Sequence, residues 1–169
     1  MAATIELYLV RHAVAAERGP KYPDDRLRPL TPAGARKFAA TVPGLAEMGV
    51  VVDFVLTSPL VRARETATLL AAGLKPKPAL IEVEALAPGG RHQAVIEAIK
   101  THAKRYRRLA IVGHEPDLGE LAARLLGARG TVQFKKGAIC AIDVDGATPA
   151  GPGTLRWMLT PRALRALAP

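Results

Sequence analysis

Apolar residues fall into short blocks along the chain, and the blocks switch between two periods. Ile5 to Val10 alternate and then close into an apolar run, the pattern of a short buried strand, which ends abruptly in Arg11-His12. From there to Leu30 the chain carries Gly19, Pro20, Pro23, Asp24 and Asp25 without a period, and it reads as a loop. A loop of that length in a compact domain is usually functional or mobile. Thr31-Pro32 is a helix start, with Thr as cap and Pro in the first turn. Phe38, Ala39, Val42, Leu45 and Ala46 follow at helical spacing, with a kink or break expected at Pro43-Gly44.

Asp53 to Thr57 reads as a second strand, and Ser58-Pro59 repeats the cap-plus-proline signal. The helix it announces has a buried stripe of Ala63, Ala67, Leu70 and Leu74. Leu80 to Val83 is a weaker strand before the turn at Pro88-Gly89-Gly90, and Val95, Ile96, Ile99 and Ala103 form the next helical face. Leu109 to Val112 is a clear strand ending in Gly113-His114, after which Pro116 opens a helix with Leu118, Leu121, Ala122 and Leu125 at its core positions. Ala138 to Val144 and Leu155 to Leu159 alternate on either side of Gly146 to Gly153 and read as a hairpin at a sheet edge. Strands alternating with helices imply right-handed crossovers, hence an α/β fold: a three-layer α/β/α sandwich with a mainly parallel central sheet.

A chain of 169 residues predicts one domain, spanning 1–169, since a domain typically takes about 150. With 49% hydrophobic and 23% charged residues, disorder is excluded, and the lone Cys140 excludes an internal disulfide framework. Cys140 sits in an alternating strand and reads as core, and a reducing cytoplasm is the expected compartment. Apolar runs stop well short of the ~20 residues of a membrane span. The start Met1-Ala2-Ala3-Thr4 lacks the basic region of a signal peptide, so no membrane association is expected. The net charge of +9 suggests an anionic partner, but the basic residues are scattered. Their one cluster, Lys104, Arg105, Arg107 and Arg108, ends a helix and reads as a solvated face. With one Trp, three Tyr and three Phe there is no stacking surface for bases, and no nucleic acid is expected as a partner. Nothing in the helices asks for a second copy, so a monomer is the default.

Ligands of open parallel sheets bind beyond the carboxyl ends of the strands. Here the first strand delivers Arg11 and His12, the second leads through Ser58 to Arg62, and the fourth delivers His114. Arg62 lies about one turn into its helix, so its side chain swings back toward the sheet edge. Each residue alone has a bland reading as a strand-end cation, a surface charge or a capped loop histidine. Two arginines and two histidines at one sheet edge instead suit a tetrahedral dianion. Backbone donors at the helix start beside Ser58 would add to them. His114-Glu115 begins like a zinc-protease motif, but Leu118 stands where the second histidine belongs, so no metal is expected. Asp143-Val144-Asp145-Gly146 is a hairpin turn rather than a calcium loop, and His92 and His102, on a helix without partner ligands, read as structural.

These residues resemble the signatures of the histidine phosphatase superfamily. Its Arg-His-Gly triplet stands here as Leu9-Val10-Arg11-His12-Ala13. The run from Thr57-Ser58-Pro59 through Arg62 to Ala67 is similar to its second-arginine motif, and Val112-Gly113-His114-Glu115-Pro116 follows suit. The short chain and Asp25-Arg26-Leu27-Arg28-Pro29-Leu30-Thr31 point to the phosphohistidine phosphatases of the SixA type, with a phosphoglycerate mutase-like fold. The resemblance implies His12 as nucleophile, with Arg11, Arg62 and His114 on the phosphoryl oxygens and Arg28 as a further contact. Ala13 replaces the usual glycine but keeps an N–H that could face the phosphate. Glu84 lies in the segment expected to hold a proton-donating carboxylate, with Glu82 close by and a solvated strand-end role equally open.

The implied mechanism is two-step and covalent, with no metal or other cofactor: neutral His12 attacks phosphorus, the arginines and a protonated His114 stabilise the charge, and water releases phosphate. The short segment after Glu84 suggests an open site that admits a phosphorylated protein. A small-molecule phosphomonoesterase is the main rival, and a non-catalytic basic phosphate- or nucleic-acid-binding module the alternative of another class. A mutase is disfavoured by the lack of larger substrate-enclosing insertions.

Overall fold

The computed structural model describes residues 3–146, 149 and 151–169. Six strands form one sheet: β1 (Thr4–Arg11), β2 (Phe54–Thr57), β3 (Ala79–Glu82), β4 (Arg108–Gly113), β5 (Ile139–Asp145) and β6 (Thr154–Leu159). Their order is β3-β2-β4-β1-β5-β6. The first four run parallel, while β5 and β6 pair antiparallel as the edge hairpin expected from the alternation. Part of the connection between them, residues 147, 148 and 150, lies outside the described residues.

Side-chain alternation along the strands builds two cores. From β1, Ile5, Leu7 and Leu9 join Leu109 and Ile111 of β4 on one face, under α4 (His92–Ala103) and α5 (Asp117–Leu126). Tyr8 and Val10 join Val55, Ala110 and Val112 on the other face. That face packs under α1 (Pro32–Ala39), α2 (Val42–Glu47), α3 (Val61–Gly73) and α6 (Pro161–Leu167). The buried stripes of α3, α4 and α5 are the ones the periodicity predicts. The fold is therefore the three-layer α/β/α sandwich.

Local differences have local causes. The expected break at Pro43-Gly44 falls earlier, at Ala40-Thr41, because Pro43 is tolerated in the first turn of α2, where its missing N–H is not needed. Ala39 and Ala46 are exposed rather than core. The segment from Val14 to Leu30 is tied down by a 3-10 turn at Asp25–Leu27 and a bridge between Ala15 and Leu30. Arg108 opens β4 and holds Asp53 at 2.6 Å, so it is not part of a free solvated face. The short helix α6, unexpected from the sequence, repeats the Thr-Pro start at Thr160-Pro161. It packs on α2 at Gly44, where a Cβ would collide with the Leu164 carbonyl.

Candidate active site

β2, β4 and β1 are neighbours and parallel, so their carboxyl ends lie side by side. Arg11 stands opposite Gly113, and Thr57 opposite Val112. The ladder continues one step past each strand: His12 N–H donates to the Gly113 carbonyl at 3.1 Å and Ser58 N–H to that of Val112 at 2.9 Å. His12, His114 and Ser58 thus leave three adjacent strands at one level. The two imidazole rings lie 5.1 Å apart between centroids, and both are buried. Arg62, in the first turn of α3, is 2% exposed, its side chain folded back over the strand ends.

His12 Nδ1 lies 2.7 Å from the Ala13 carbonyl oxygen. A carbonyl only accepts, so Nδ1 carries the proton and Nε2 holds a free lone pair. Burial first, then Arg62, Arg11 and Lys136, push the His12 pKa down to about 4, against opposition from the Ala13 hydrogen bond. Burial and the fields of His12 and Arg62 take His114 to about 3. Both rings are neutral at neutral pH in the unliganded site, where His114 therefore lacks the proton expected of it: two buried imidazoles beside arginines take up no added positive charge.

The arginines are held from outside. Arg11 donates through NH1 to the Phe134 carbonyl at 2.6 Å. Arg62 donates through NH1 to the Asp25 carbonyl at 2.8 Å and through NH2 to its carboxylate at 2.9 Å. The other carboxylate oxygen of Asp25 accepts from Arg28 Nε at 3.0 Å, and Arg28 NH1 donates to the Ala16 carbonyl at 2.7 Å. Burial alone would raise the Asp25 pKa, but Arg62 and Arg28 outweigh it and keep the carboxylate ionised. These bonds leave Arg11 Nε, Arg62 Nε and His114 Nδ1 buried and without a hydrogen-bond partner among the described residues. Buried polar groups are nearly always paired. All three residues stand at the sheet edge that carries the His12 imidazole.

Other expected residues take different places. Ser58 is fully buried; its Oγ accepts from Leu60 N–H at 3.2 Å and lies 2.7 Å from His114 Nε2, so it supports His114 rather than offering itself to a ligand. The helix start expected beside it falls at Val61. The Ala13 N–H, expected to face phosphate, donates instead to Thr66 Oγ1 at 3.0 Å, and Thr66 donates in turn to the Arg62 carbonyl at 2.7 Å. Glu84 has both oxygens on the exposed Arg26 guanidinium, at 3.1 and 3.2 Å, and none of its contacts reaches His12 or His114. Glu82 is engaged by Arg64 at 3.1 Å.

His102 is structural, bonded to the Ala98 carbonyl and stacked on Phe54. His92 is not without neighbours: its ring nitrogen and the carboxylates of Asp117 and Glu120 lie within 4.8 Å of one another. Asp25, Thr66 and Lys136 escape the sequence reading. Asp25 sits inside the Asp25-to-Thr31 motif, and an acid three residues before an arginine was the signal available for it.

The profile of the histidine phosphatase superfamily (branch 1) matches residues 7–130. An uncharacterised protein of Picosynechococcus sp. is 41% identical over 120 residues, covering 70% of this chain and 71% of that protein. The phosphohistidine phosphatase SixA of Escherichia coli is 26% identical over 164 residues, covering 95% and 97%. The structure of the protein histidine phosphatase SixA complexed with tungstate superposes with a TM-score of 0.83 at 26% identity, covering 95% of this chain and 99% of that one. The sandwich is likewise the phosphoglycerate mutase-like fold. With the two histidines and two arginines of its signatures gathered at one sheet edge, the chain belongs to the histidine phosphatase superfamily, branch 1, and is structurally close to SixA.

Proposed function

We propose that the chain is a phosphatase that carries the phosphoryl group on His12 and acts on phosphohistidine in a protein. The observation that carries this reading is the gathering at one sheet edge of His12, its Nε2 a free base, with His114 at 5.1 Å between ring centroids and with Arg62 and Arg11, whose charges act on the His12 ring. The Nε2 lone pair attacks phosphorus in line, the new P–N bond forms, and the bond to the leaving group breaks with its electron pair. Arg11 and Arg62 take the equatorial oxygens as charge-assisted donors, and neutral His114 donates through Nδ1–H. Water then attacks the phosphorylated His12. The P–N pair returns to Nε2, and the protons of water stay on phosphate or pass to solvent.

The leaving group argues for the substrate. An alkoxide needs a proton as it departs, yet the carboxylate that acts most on His114, Asp25, is held ionised by two arginines, and Glu84 is held by Arg26. A phosphohistidine already protonated on its distal ring nitrogen departs as neutral imidazole and needs no such donor. The likeness to SixA points the same way.

The test is kcat/KM on a phosphohistidine-bearing protein against a series of aryl and alkyl phosphates. A preference of about 100-fold or more for phosphohistidine is expected. Equal or faster turnover of the esters replaces this reading with a small-molecule phosphomonoesterase. No turnover of either, with steeply salt-dependent binding, replaces it with a binding module.

A further inference from the structure

Beside the nucleophile lies a cavity of about 170 Å³, on the order of five water molecules. Its floor is apolar, with Phe38 and Pro161, and its rim carries Lys37, Lys136 and Arg165, with no acidic residue in its lining. The charge here contrasts with the opposite side of the site. There Arg18, Arg28 and Arg62 share Asp25, and Arg26 has Glu84. Lys37, Lys136 and Arg165 enter no ion pair among the described residues. Like charges gathered at one concavity repel one another and attract an anion.

The cavity adjoins the reaction centre. Ala13, the residue after the nucleophile, forms part of its wall. Gly137, at a positive φ of 79°, donates its N–H to the carbonyls of Arg11 and His12, both at 3.1 Å, and fixes Lys136 against the end of β1. The charge of Lys136 is felt at the His12 ring. An anion with an apolar stem fits both the floor and the rim.

We propose that this cavity is a subsite for a second anionic group of the substrate, which for a phosphohistidine protein is an acidic side chain flanking the phosphohistidine. The identity of that substrate rests on the function proposed above; the anion subsite does not.

Calorimetry with two non-hydrolysable probes separates the two. The wild type binds carboxyphenylphosphonate about tenfold more tightly than phenylphosphonate, a difference that falls to about one in Lys37→Gln/Lys136→Gln and survives in Lys136→Arg. Lys104→Gln, an exposed charge on the far end of α4, keeps the preference, which distinguishes a local subsite from the attraction of the +9 chain as a whole. Equal affinity of the two probes in the wild type, or an equal loss in the Lys104→Gln control, overturns the subsite. Phosphohistidine peptides with glutamate or glutamine neighbours then show whether the substrate uses it. A subsite confirmed with the phosphonates while neither peptide is turned over overturns the phosphohistidine reading alone.

Discussion

Ser58 Oγ lies 2.7 Å from His114 Nε2 and accepts the Leu60 N–H at 3.2 Å. In the tautomer that the proposed mechanism uses, the hydroxyl donates its own proton to Nε2. The ring proton of neutral His114 then sits on Nδ1, the buried nitrogen left without a partner. Ser58→Ala frees the tautomer and lowers kcat by about tenfold, the worth of one hydrogen bond. KM changes less, because the arginines still bind the phosphoryl group. Steady-state kinetics on any turned-over substrate checks this, and an unchanged kcat contradicts it.

Asp25 holds two arginines with one carboxylate. In Asp25→Asn one oxygen remains as acceptor, while the amide NH₂ faces a guanidinium and releases Arg28 or Arg62. A loss of about 10- to 100-fold in kcat/KM is expected, the size of a hydrogen bond to a charged group. Inorganic phosphate binds more weakly by a similar factor. A variant with wild-type kinetics and phosphate affinity contradicts the role of the network.

Glu84→Gln removes an exposed ion pair with Arg26 and nothing at the histidines. Activity within about threefold of wild type is expected, because exposed pairs contribute little. A loss of a hundredfold, confined to substrates with poor leaving groups, reinstates Glu84 as a proton donor.

The pH dependence follows from His12. Its pKa falls from the ordinary 6.5 to about 4. Since kcat/KM reports the free enzyme and the free substrate, the acid limb that the enzyme contributes lies near pH 4, and once the substrate's own titration is divided out no fall remains at pH 6.5, where an unperturbed imidazole would already be failing. Stability runs in the same direction. Between pH 6.5 and about 4 the unfolded chain binds protons on His12 and His114 that the folded chain does not. Unfolding free energy from these two groups therefore declines as pH falls through that window. An acid limb of the enzyme's own near 6.5 contradicts the burial argument.

β1 and β4 were legible because a central parallel strand is a closed apolar run, and each run stops at the polar residue that matters, His12 or His114. The Thr31-Pro32 cap was legible because its hydrogen bond is local, to Gly34. Ser58-Pro59 carries the same signal and misleads, since its hydroxyl is committed to a histidine 56 positions away and to Leu60. The role of Asp25 is hidden for the same reason, its main partner Arg62 lying 37 residues on. Glu84 looked well placed along the chain and is drawn off by Arg26 across 58 residues. Local order is written in local pattern; the partners of charges are not.

The central claim is that His12 carries the phosphoryl group. Rapid quenching of the wild type during turnover, followed by intact-mass measurement and peptide mapping, tests it most directly. One acid-labile, alkali-stable phosphoryl group on the peptide containing His12, lost together with turnover in His12→Ala, is the expected result. Turnover that persists in His12→Ala, or a phosphoryl group on any other residue, contradicts the account.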